Sequence, residues 1–71
     1  MARFNALLTD DMVYRRFVDP KDDPRPYITC DIEKLAYDIR NIEAHDITFE
    51  QAMSYAKGIV NYAKTLRKAK E

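Results

Sequence analysis

One cysteine, one histidine, one glycine and no tryptophan in seventy-one residues close off several kinds of protein at once. A single cysteine excludes an internal disulfide, and a lone thiol is what a reducing, cytoplasmic compartment tolerates. One histidine and one cysteine are too few of the usual ligands for a structural zinc site. A glycine-rich phosphate loop is equally excluded, because Gly58 is the only glycine. No apolar run approaches the ~18–20 residues of a membrane span, so no membrane partner is expected. The start does not read as a signal peptide, since Asp10 and Asp11 follow the short Phe4–Leu8 apolar patch. Charge of one sign is missing too: twelve basic and twelve acidic residues cancel, leaving no global field to draw in nucleic acid.

A chain this short buries only about 60% of its unfolded surface and ordinarily needs a staple. With disulfide and metal excluded, self-association is the staple that remains, so a homo-oligomer or another protein partner is expected. One small domain is expected over residues 1–71: an N-terminal segment and helix over 1–19, a proline-rich connector over 20–28, and a helical hairpin over 29–71. The fold class is all-α.

The strongest pattern lies in the last third of the chain. Phe49, Ala52, Ala56, Ile59, Ala63 and Leu66 recur at alternating spacings of three and four, the mark of a helix with one buried seam. Thr48-Phe-Glu-Gln51 has the form of a capping box and sets the start, so the helix is expected over about 48–70. Met53 and Val60 widen the seam on one side, and Tyr55 and Tyr62 on the other. So wide an apolar arc needs cover from two directions. Gly58 falls on the side of the polar residues, where it costs about 1 kcal/mol relative to alanine; it reads as a tolerated flaw, with close packing of another element against the backbone as the alternative.

A second helix is expected over about 30–44, with Ile32, Leu35, Ile39 and Ile42 as its seam, Ala36 beside them, and Lys34 and Asp38 paired on its outer face. Its bulky seam facing alanines predicts close antiparallel packing of the two helices. The last helix spans about 33 Å and the second about 20 Å, so an N-terminal helix or another subunit must cover the overhang. That short helix is expected over about 10–18: Thr9 caps it, Asp10 and Asp11 suit its positive end, and Met12, Val13, Phe17 and Val18 face inward. Between them, Pro20, Pro24 and Pro26 predict an extended connector. Phe4, Leu7 and Leu8 form a small cluster that must dock somewhere.

Candidate chemistry is sparse. His45, flanked by Glu43 and Asp46, reads as a solvated turn residue rather than a metal ligand. Cys30 at a helix start has the position of an activated thiol, but His45 is the sole base and lies about 20 Å away along the second helix. Asp10/Asp11 and Asp22/Asp23 lack calcium-loop spacing. No enzyme and no cofactor are expected. The expected role is a non-enzymatic protein-binding or regulatory module, self-associating through the long C-terminal helix. Its interface residues are Met53, Tyr55, Val60 and Tyr62, with Tyr37 on the second helix. The alternative is a helical protein binding an anionic ligand, nucleic acid or a nucleotide, through Lys57, Lys64, Arg67 and Lys68, with Arg15 and Arg16. The five tyrosines also admit an intramolecular reading, in which the N-terminal segment wraps the helices and covers the rings.

Overall fold

In the computed structural model residues 9–70 are described, with side chains described through residue 68. The expected Phe4, Leu7 and Leu8 cluster lies outside them. Among the described residues the chain is mostly helical and contains no strand. It forms α1 (Asp10–Phe17), α2 (Arg25–Ile28), α3 (Ile32–Asp38) continued by a π-helical segment (Ile39–Glu43), and α4 (Phe49–Lys70). The first three helices all pack against α4.

α4 begins where the capping box places it. Thr48 Oγ1 accepts the Gln51 N–H at 3.1 Å, and Gln51 Oε1 accepts the Thr48 N–H at 3.0 Å. Two amide donors left over at the helix start are thereby satisfied. Its seam forms the floor of the core: Ala52, Ala56, Ile59 and Ala63 are fully buried. Alanine there lets the neighbouring backbones come near without leaving voids.

α1 covers the tyrosine side of that floor. Thr9 caps it by accepting the Met12 N–H at 3.2 Å, and Asp10 and Asp11 occupy its first turn. Its inward face is Val13, Tyr14 and the half-buried Phe17, with Val18 buried just after it. The expected inward residue Met12 instead stands exposed, and Tyr14 takes the buried position. The helix is rolled about its axis relative to the expected face, because Tyr14 fits edge-on to Tyr27 (6.1 Å between ring centres) and tilted against Tyr62 (5.2 Å). Phe17 likewise lies 5.1 Å from the Tyr55 ring.

Gly58 belongs to this contact and not to a solvated face. It is buried, with Asp10 Oδ1 3.2 Å and Val13 Cβ 3.6 Å from the place where its own Cβ would stand. Any residue larger than alanine would push α1 off α4.

The proline segment is not extended throughout. Asp19 accepts the Lys21 N–H at 2.9 Å and turns the chain, and Asp23 accepts the Arg25 N–H at 3.0 Å. Pro24 and Pro26 then sit at the entry to α2, where the missing amide costs nothing and the fixed φ suits a first helical turn. The aspartate side chains thus supply turn geometry that proline content alone does not reveal.

α3 is capped by Asp31, whose carboxylate accepts the Glu33 N–H at 2.9 Å. Ala36 and Ile39 bury against α4 as expected. Ile42 does not: it is 69% exposed. The backbone widens at Ile39–Glu43, with the Ala44 N–H donating to Ile39 O across five residues at 2.8 Å. An extra residue in the turn changes the angle between successive side chains, so the three-four spacing no longer returns Ile42 to the seam.

Candidate functional site

Among the described residues, concave surfaces include a groove along α3, a cleft at the proline turn, and a shallow polar hollow at the start of α4 lined by Thr48, Glu50, Gln51 and Ser54; one row of charge stands apart from them. The first is a groove along α3. Its upper part, about 200 Å³, is walled by Phe17, Val18, Tyr27, Leu35, Ile39, Ile42 and Ile59, with Asp38 and Glu43 on its edge. Its lower part, about 290 Å³, is bounded by Pro26, Tyr27, Cys30, Asp31, Lys34, Leu35 and Asp38. Tyr27, Leu35 and Asp38 belong to both parts, so one apolar channel follows the helix with charged groups along its lip. The expected Lys34–Asp38 ion pair is absent: neither residue, nor Glu43, has a charge partner among the described residues. Ile42 stands at the end of the channel as an unshielded apolar side chain.

The second surface is a polar cleft of about 510 Å³ between the Pro20–Arg25 turn and Arg67 of α4. Arg25 is forked onto Asp23, with Nε 2.8 Å from Oδ2 and 3.1 Å from Oδ1. That pair, together with Asp22, offsets much of the positive charge that Lys21, Arg25 and Arg67 bring. Beneath the turn, the Tyr14 hydroxyl is buried with no hydrogen-bond partner among the described residues. Burial, then Tyr27 and the acidic Asp22 and Asp23, push its ionisation above the ordinary value. Burial and Asp22 do the same for Tyr27. Tyr62 is raised first by hydrogen bonding toward the Asp11 carboxylate and then by desolvation.

The expected interface residues are dispersed. Tyr55 and Val60 are buried within the single chain and present no surface to a second body. Met53 is half-buried against the core, and Tyr62 is half-buried under Tyr14. Only Tyr37 remains open, 55% exposed, with its ring resting 4.9 Å from that of Phe49. The arc on α4 is as wide as its sequence implies, but α1 and α2 cover it from inside the chain.

Of the six residues expected to hold an anion, Lys57, Lys64 and Lys68 are exposed along the outer side of α4, and Arg67 lines the polar cleft. Arg15 and Arg16 are engaged locally. Arg15 Nε lies 3.0 Å from Asp11 Oδ1, a close ion pair without the alignment of a hydrogen bond. The Arg16 guanidinium sits 5.8 Å over the Phe17 ring. The cleft therefore gathers one of the six.

Cys30 lies just ahead of the α3 cap, and its thiol is within 3.4 Å of Tyr27 O. Burial, partly opposed by a backbone hydrogen bond, raises the thiol pKa, the opposite of an activated nucleophile. His45 is exposed in the turn before α4. No group of three or more histidine, cysteine or acidic side chains converges as a metal site among the described residues, and no helix there is long and apolar enough to cross a membrane. Compared with family models, characterised proteins and solved structures, the chain matches none.

The channel itself escaped the sequence reading. Leu35 packs on the core as its seam position implies and also lines the channel; Ile42 departs from the seam, because the π widening leaves no mark in an otherwise regular three-four pattern.

Proposed function

We propose that the chain is a non-enzymatic protein-binding module that receives a helical partner segment in the channel along α3. One observation carries this reading: an apolar channel, floored by Leu35, Ile39 and Ile59, opens beside an exposed Ile42. An amphipathic helix laid there would cover Ile42 and offer its own apolar anchors to the channel, as in helix-in-groove recognition. The unpaired charges on the lip would fix register more than affinity. The interface expected on α4 moves to α3, because Tyr55 and Val60 are already used in folding. Antiparallel pairing of α3 with α4 in a hairpin is part of the proposal, since it aligns the channel along the length of α3.

A nitrogen-15 NMR titration with an amphipathic probe helix, carrying leucines at i, i+3 and i+7 and flanking lysines, tests the proposal. Shifts confined to Leu35, Asp38 and Ile42, abolished by Ile42→Glu, are expected. Shifts spread along α4 instead would contradict it.

A second reading has one observation in its favour: Lys57, Lys64 and Lys68 stand exposed at spacings of seven and four, on one side of α4. Such a row suits a phosphate backbone or nucleotide, and its affinity would fall steeply with salt. Binding to single-stranded DNA that is insensitive to ionic strength would remove it.

A further inference from the structure

We infer that the segment received by the channel is a cationic amphipathic helix of a foreign protein, its apolar anchors in the channel and its lysine or arginine side chains beside Asp38 and Glu43. This rests on the channel being a protein-binding site and adds the charge of what binds there.

The walls of the channel sort by sign. In the hollow that includes Ile42 the only charged groups are Asp38 and Glu43, both acidic. The hollow that includes Cys30 shares Asp38 and adds Asp31 and Lys34. Three carboxylates thus face one ammonium, and they are not equally available. Asp31 is engaged locally, since its carboxylate accepts the Glu33 and Lys34 N–H groups at the start of α3. Asp38 and Glu43 are exposed, and among the described residues neither has a charge partner. Arg16 at the Phe17 ring stands outside the walls, and counting it narrows the excess of acid without reversing it.

The two hollows, about 200 and 290 Å³, meet at Tyr27, Leu35 and Asp38 and offer a place for each of two apolar anchors. A neutral helix seated there would leave both carboxylates unpaired at its edge, and an acidic one would be repelled. A cationic helix pairs them at the rim, where such contacts set register and encounter rate more than affinity. The rest of the chain points the same way. Its net charge is zero, yet Lys57, Lys64 and Lys68 stand exposed along the outer side of α4. A cationic segment is therefore repelled from that row and attracted to the lip of α3.

Probe helices with the same leucine anchors but flanked by lysine, glutamine or glutamate test the sign, titrated into the full chain and followed by NMR. At low salt the lysine probe should bind about three- to twenty-fold tighter than the glutamine probe, with the glutamate probe weakest. Asp38→Asn and Glu43→Gln should each weaken the lysine probe about two- to five-fold and leave the glutamine probe unchanged. Lys34→Gln should tighten the lysine probe, and Glu50→Gln, at the start of α4, should alter neither. All four positions are exposed, and a thermal melt of each variant confirms that the fold is kept. The lysine advantage should shrink as salt rises. Equal affinity for lysine and glutamine probes, a preference for glutamate, or a lysine advantage that survives both carboxylate substitutions would overturn the inference. If the glutamine probe still shifted Leu35, Asp38 and Ile42, the protein-binding reading would stand and only the partner's charge would be lost. If no probe shifted the channel, both would fall.

Discussion

Tyr14 concentrates more of the fold's chemistry than any other side chain. Its ring joins α1 to α2 and α4, while its hydroxyl is taken out of water without a partner among the described residues. A desolvated hydroxyl left unmatched costs roughly 1–3 kcal/mol, so Tyr14→Phe should stabilise the chain by about 1 kcal/mol in a denaturant titration, the ring packing being kept. The same residue sets a pH limit. Tyr14 and Tyr27 hold their protons more tightly when folded than their free value of 10.0, because burial and nearby acids disfavour the phenolate. A group raised in the folded chain contributes fully below its unfolded value and loses that contribution as pH climbs through the folded one. Unfolding followed by circular dichroism should therefore steepen above about pH 10, and Tyr14→Phe should move the alkaline midpoint upward. Gly58 gives a graded test of the α1 contact. Asp10 is exposed and can swing away from a new methyl, so Gly58→Ala should gain up to about 1 kcal/mol of helix propensity. Gly58→Val should lose stability in the same melts, because Val13 leaves no room for branches at 3.6 Å.

At the scale of the element, legibility followed how local the cause was. The start of α4 depends on two side chains three residues apart, and Thr48 and Gln51 could be read directly. Thr48→Ala should accordingly cost about 1 kcal/mol by thermal melt, with the partner Gln51 left without its acceptor. The roll of α1 depends on where Tyr27 and Tyr62 stand, which is tertiary, so the local spacing alone points Met12 inward where Tyr14 stands. The proline segment misled in the other direction. Three prolines describe what the backbone cannot do, whereas Asp19 and Asp23 decide what it does. The π widening after α3 was illegible because Ile39 and Ile42 satisfy an α pattern perfectly well in sequence. Its consequence is an isoleucine turned away from the core and exposed beside the channel.

For the molecule as a whole, seventy-one residues build a core by spending nearly every aromatic ring on internal contact. Phe17 with Tyr55, Tyr14 with Tyr27 and Tyr62, and Tyr37 with Phe49 tie α1, α2 and α3 to α4 along its length. The wide apolar arc of α4 was legible; what covers it was not, since a second subunit and the chain's own N-terminal helix offer the same chemistry. α1 won because Gly58 and the alanines let it lie close. That intramolecular cover is the claim on which the α3 channel depends, for it removes the apolar arc of α4 from the list of available surfaces. An isotope-filtered NOE experiment on a one-to-one mixture of labelled and unlabelled chain tests it. The Tyr14–Tyr62 and Phe17–Tyr55 ring contacts should appear only within a chain and persist on dilution. Their appearance between labelled and unlabelled chains would contradict the account.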